Sequence, residues 1–266
     1  MTQCVLCKPE FSVHCISTSL NWISSIDCGV RPIREGRSEE EGANREARIV
    51  GGRETQFGDW PWQVLVREST LLGLFTKNKC GGVLISNRHV LTAAHCQPGF
   101  LASLSVELGE HDITGNSEYM ATMQRKVKRV VVHKDYKAPT FENDIAILEL
   151  EKEIVRMPHI VPICMPKSLD MVFEGEMGTV TGWGRTEYGG NVPNILHQVS
   201  VPIIENDKCQ DMFIKSGHKK KVRESFLCAG YDKGEKDSCE VSIFRVLLEE
   251  LDGDSLVYFR VIVEVH

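Results

Sequence analysis

An all-β fold is what this sequence predicts, and two observations predict it. Short runs rich in β-branched and apolar residues recur from Gly52 onward, each broken by turn formers, the pattern of an antiparallel barrel. With 266 residues the chain can also bury a substantial core, either as one large all-β domain or as two smaller lobes. Residues 60–66, 81–86, 90–91, 105–109, 126–132 and 145–150 read as strands of a first set. Residues 178–184, 197–204 and 226–229 read as a second, and 207–215 has room for a short helix. Residues 1–27 show no periodicity, and 38–44 (Ser-Glu-Glu-Glu-Gly-Ala-Asn) are too polar to order themselves, which marks an exposed, cleavable linker.

Composition narrows the partners. A net charge of -6 argues against nucleic acid as a main partner, since phosphate binding needs a clustered positive field. The basic run His218 to Arg223 is local and reads as a solvated loop. Ten cysteines point to an oxidising compartment. No stretch is apolar for the length of a membrane span, and residues 1–27 lack the apolar core of a secretory signal, so a secreted form would either have its true start upstream or begin differently from this sequence. Cys4, Cys7 and Cys15 could begin a zinc site, but a fourth ligand at suitable spacing is missing; no metal and no cofactor are expected.

Chemistry is concentrated in four stretches. Leu91-Thr92-Ala93-Ala94-His95-Cys96 places a histidine at the end of an apolar strand run and beside a cysteine, where it can serve as a rim-exposed general base. A lone histidine of this kind is more often structural. Arg48-Ile49-Val50-Gly51-Gly52 lies upstream of it, Glu142-Asn143-Asp144-Ile145-Ala146-Ile147-Leu148 downstream, and Asp237-Ser238-Cys239 near the end. Taken in this order, the four stretches resemble a trypsin-type serine protease. The match covers about residues 28–240, and segments such as Phe141-Glu142-Asn143-Asp144 and Val201-Pro202-Ile203-Ile204 are most similar to arthropod members of the Stubble and filzig type.

That resemblance implies two antiparallel β-barrels, the second incomplete here, and assigns roles by position. His95 would be the general base, and Asp144, 49 positions later, the carboxylate that fixes its tautomer and stabilises the imidazolium formed during acyl transfer. Asp237 would sit at the base of the primary specificity pocket and select Arg or Lys in protein substrates by a charge-assisted contact. Cleavage between Arg48 and Ile49 by an activating trypsin-like protease would free an α-amino group that inserts and pairs with a buried carboxylate. Cys28 would tether the upstream segment to Cys164, Cys80 would pair with Cys96, and Cys209 with Cys228. An extracellular setting follows from the same resemblance.

The family pattern then stops. After Glu240 it continues Gly-Asp-Ser-Gly-Gly-Pro, whereas this chain continues Val241-Ser242-Ile243-Phe244-Arg245. Lost with the nucleophile are the oxyanion-hole glycine amide, the Asp that receives the Ile49 amine, the pocket wall and the partner of Cys239. Neither Ser242 nor Ser255 has the flanking glycines that permit close approach and amide donation. Val-Ser can be encoded by GTA-AGT or GTG-AGT, the consensus start of an intron, so residues 241–266 read as translated intron. Fifteen of these 26 residues are apolar and 256–265 reads as a strand, which would be prone to aggregate unless it fills part of the second barrel. The domain reading is therefore an upstream segment and linker (1–48), an incomplete peptidase domain (49–240) and a divergent tail (241–266). The rival reading is a non-catalytic protease homologue that binds a partner.

Overall fold

The computed structural model describes residues 28–35, 52–70, 73–115, 118–165, 173–184, 191–217, 219, 221–230, 245–250 and 257–262. Six strands close a first antiparallel barrel: β2 (Gln63–Thr70), β3 (Phe75–Ser86), β4 (His89–Thr92), β5 (Ser103–Leu108), β6 (Met123–Val132) and β7 (Ala146–Leu150), in the order β2-β3-β4-β7-β6-β5. Alternation explains the inward faces: Leu104, Val106 and Leu108 of β5, and Ala146, Leu148 and Leu150 of β7, are all buried. Gly82 lets β3 and β4 approach closely, because a Cβ there would lie 2.9 Å from Val90 Cγ1 and 3.0 Å from the Leu91 carbonyl oxygen.

The second sheet runs β1 (Arg53–Glu54), β9 (His197–Ile204), β8 (Met177–Gly182), β11 (Arg245–Glu250) and β12 (Val257–Ile262), with β10 (Cys228–Ala229) also paired to β9. Among the described residues it stays open, and its own core is small: Phe173, Val180, Val201, Ile203 and Leu227. The tail contributes an antiparallel hairpin, β11 pairing with β12 and, through Val246↔Thr181 and Leu248↔Thr179, with β8. The chain after Glu240 thus supplies strands to the incomplete lobe, as its β-rich sequence allows; β11 was not foreseen, and β12 is shorter than 256–265.

Two helices complete the described structure, α1 (Pro32–Glu35) and α2 (Asn206–Lys215). Among the described residues, three disulfides join Cys28 to Cys164, Cys80 to Cys96 and Cys209 to Cys228. The lobes are stitched by polar contacts: Thr181 Oγ1 donates to Gln63 Oε1 at 2.7 Å and Trp183 Nε1 to the His111 carbonyl at 3.1 Å. Trp183 and Leu196 from the second lobe pack into the first barrel's core. The bounds of β2 and β3 differ most from expectation. Pro61 and Trp62 form a turn closed by the Gln63 amide donating to the Trp60 carbonyl at 3.0 Å, and β2 begins at Gln63 and extends to Thr70, because its far half pairs with Phe75–Asn78 and with Ser103–Ser105.

Candidate active site

The barrel register brings His95 and Asp144 together. Strands β4 and β7 pair antiparallel, and their last matched pair is Thr92↔Ala146. His95 lies three residues beyond the end of β4 and Asp144 two residues before β7, so both fall on the same rim. The local chain is tightly held. Thr92 Oγ1 donates to the Gly81 carbonyl at 2.8 Å, and a 3-10 turn (Ala94–Cys96) then places Cys96 for its disulfide with Cys80 on β3. The turn fixes the backbone on which the imidazole stands.

Asp144 grips His95 at two points. Its Oδ1 accepts from the His95 amide at 2.8 Å, and its Oδ2 lies 2.6 Å from His95 Nδ1. Since a carboxylate only accepts, the Nδ1 proton is assigned to that contact and Nε2 is left as the basic ring atom. Exposure divides the pair. The Asp144 side chain is 2% exposed and that of His95 28%, so the carboxylate is sealed while the imidazole reaches the rim. Nε2 itself is buried and makes no hydrogen bond among the described residues.

The loop that carries Asp144 is braced from several sides. Asn143 has φ 55°, a left-handed conformation that asparagine tolerates, and its Nδ2 donates to the Asp135 carbonyl at 3.1 Å. Phe141 also has a positive φ of 57°, which is strained for a bulky residue, and its ring meets His95 edge-on at 5.9 Å. Glu142 pairs with Lys137 at 3.0 Å and with Arg223 of the second lobe at 3.3 Å, and the Asn143 amide donates to Ser225 Oγ at 3.4 Å. The Lys137 hydrogen bond, opposed in part by burial, holds the Glu142 carboxyl below the usual range. None of these braces was foreseen from the sequence; Asn143 alone carried a signal, as a residue type that favours turns.

A metal is a poor fit here. Cys80, His95 and Cys96 offer ligand atoms within 4.8 Å of one another, but the two sulfurs are bonded to each other and supply no thiolate. Arg48, Ile49 and Asp237, the other expected functional residues, lie outside the described residues, as does Cys239.

A buried carboxylate locked to a rim histidine on a closed six-stranded barrel frames the comparison with known proteins. The trypsin family model matches residues 49–240. The chain belongs to the trypsin family. Serine protease filzig of Drosophila melanogaster is 55% identical over 240 residues, which are 90% of this chain and 13% of filzig. Serine proteinase stubble of the same fly is 42% identical over 199 residues, 74% of this chain and 25% of that protein. Venom serine protease Bi-VSP of Bombus ignitus is 34% identical over 203 residues, 73% of this chain and 54% of the relative. The chain thus spans well under two thirds of each relative. The family match ends at Glu240, the residue after which the sequence leaves the family pattern.

Proposed function

We propose that residues 49–240 derive from the peptidase domain of an extracellular, trypsin-like serine endopeptidase that cleaves proteins after Arg or Lys, and that this chain does not itself hydrolyse peptides. The two-point contact of Asp144 with His95 carries the first half of the proposal. In an intact member, His95 Nε2 takes the proton of the serine hydroxyl as its oxygen bonds to the scissile carbonyl carbon, then returns it to the leaving amine; Asp144 stabilises the interim imidazolium. Asp237 supplies the negative charge for a basic substrate side chain, and cleavage after Arg48 is the activation step. Catalysis is missing because Val241–His266 replace the nucleophile and its oxyanion donors. Loss of the serine alone costs such enzymes about a millionfold in turnover.

The test is hydrolysis of an arginine ester by the purified full chain after cleavage at Arg48. No turnover above buffer is expected, and inhibitor-sensitive turnover would overturn the inactivity. The origin of the tail is tested separately by genomic sequence. An intact Gly-Asp-Ser-Gly-Gly-Pro exon downstream of the Glu240 codon is expected, and its absence would sink the translated-intron reading.

A second reading, a non-catalytic homologue that binds a partner protease or matrix protein, draws support from the β11–β12 hairpin. By pairing with β8 the hairpin covers an edge that the lost strands would otherwise leave open. This reading expects a cooperatively folded full chain.

A further inference from the structure

The segment upstream of the linker is bound far more extensively than a disulfide leash requires. Beyond Cys28, joined to Cys164, the Gly29 amide donates to the Pro162 carbonyl at 2.9 Å. Three residues along, Arg31 is only 5% exposed. Its guanidinium carbon lies 4.2 Å from the centre of the Trp60 ring and 5.5 Å from that of Trp62. The two indoles meet edge to face at 6.2 Å, making an aromatic corner that fits a flat cation. Ile33 then fills the space over Gly58: a Cβ on that glycine would come within 2.7 Å of Ile33 Cδ1, and its φ of +80° disfavours any other residue.

A guanidinium keeps its charge in a protein, so burying it is unfavourable unless the surroundings receive that charge. Aromatic faces do so, most strongly when water is excluded. Trp60 also reaches the other lobe, its Nε1 donating to Gln198 Oε1 at 2.9 Å. Gln198 in turn pairs with Arg53 of β1, and a Cβ on Gly52 would lie 2.8 Å from its carbonyl oxygen. The socket therefore abuts β1, the strand that begins at Arg53.

We propose that Gly58, Trp60, Trp62 and Pro162 form a peptide-binding socket specific for an arginine-anchored segment, occupied in cis by Cys28–Glu35, and that it retains this segment after the linker is cut even without the disulfide. The segment is then a resident ligand that braces the first strand of the domain, and Arg31 is its anchor. Nothing in the proposal depends on catalysis.

The experiment uses the full chain with Cys28→Ser and Cys164→Ser and a site-specific protease sequence placed within residues 36–48. After cutting, native mass spectrometry and gel filtration at falling concentration read whether the upstream fragment stays bound. Retention is expected with Arg31, loosening by about tenfold or more with Arg31→Ala, and an intermediate effect with Arg31→Lys, whose ammonium cannot stack flat. A fragment that leaves the Arg31-containing body at once overturns the proposal, and so does equal retention with and without Arg31. Arg31→Ala with the disulfide intact, followed by tryptophan fluorescence and thermal unfolding, is the folding control. Should that variant not fold, retention or loss in the Arg31-containing chain decides alone.

Discussion

The first barrel and the second sheet show what closure contributes. Six strands close on themselves in the first, most of the buried strand positions are apolar, and Trp62, Leu84, Leu108 and Leu148 are fully buried. The second sheet is open among the described residues, its apolar cluster rests on Phe173, Val180, Val201, Ile203 and Leu227, and two of its strands come from the tail. Both expected members of the catalytic pair that lie in the described residues stand on the closed barrel. On the proposed reading the nucleophile belongs to the part whose sequence departs after Glu240, whereas Asp237 lies before the departure. The lesson is that the closed lobe holds the contact between His95 and Asp144 on its own strands and loops, whatever strands complete the other sheet.

The sharpest way to break this contrast is to truncate core residues in each lobe. Leu148→Ala, in the closed barrel, should cost about 2–5 kcal/mol, and Val201→Ala, in the smaller cluster, roughly 2 kcal/mol or less, both read by chemical denaturation. Equal losses would mean the lobes are equally packed. Next in size is Leu247→Pro in β11, which removes a ladder amide from the middle of a strand paired on both sides, with β8 and with β12. Amide exchange should rise across β8, β11 and β12 while β2–β7 keep their protection; faster exchange throughout would contradict independent stability of the barrel.

Much of the first lobe was legible because its signal is alternation between apolar and polar residues. Strand β9 matched its expected span at both ends, and β4, β5, β6, β7 and β8 matched within a few residues. The polar start of β3, Phe75-Thr76-Lys77-Asn78-Lys79, was missed: it is mostly exposed and held by pairing with β2 rather than by burial. The site was legible only in part. His95 and Asp144 were singled out beside apolar strands and given roles only by the family resemblance, whereas Phe141, Ser225 and Arg223 act through loop geometry and long-range contacts that no local pattern encodes. The Arg31 socket was invisible for the same reason, since its parts come from three separated stretches.

Two smaller effects are pH-dependent and both sit on the first lobe. Burial pushes Glu110 up, the neighbouring Glu118 adds to it, and the group reaches about 8 from an ordinary value of 4.5. The folded state therefore keeps a proton that the unfolded chain releases, and stability falls as pH rises from 4.5 to 8. Glu110→Gln should flatten that slope and raise the melting temperature at pH 8 while changing little below pH 4.5, a comparison made by calorimetry across pH. An unchanged slope would show that Glu110 is ionised in the folded protein.

Glu68 behaves oppositely. Burial pushes it up, but Lys79, the Gly99 amide and Lys77 outweigh that effect and hold it at about 2. Its contribution is present above 4.5 and is lost as pH falls toward 2. Glu68→Gln should therefore make acid unfolding shallower, in the same calorimetric series. These contacts tie the loop after Cys96 to β2, so the variant should also raise amide exchange at Gly99.

The central claim is that His95 and Asp144 are the intact half of a trypsin-like catalytic centre interrupted after Glu240. It is tested most directly by joining Glu240 to Gly-Asp-Ser-Gly-Gly-Pro and the corresponding remainder of the filzig domain, cutting after Arg48, and measuring kcat on an arginine ester. The account predicts that hydrolysis appears, and that Asp144→Asn in that chain lowers kcat on the order of 10⁴-fold by leaving the imidazole in the wrong tautomer. A folded, activated chimera that hydrolyses nothing, or one whose rate ignores Asp144→Asn, would contradict it.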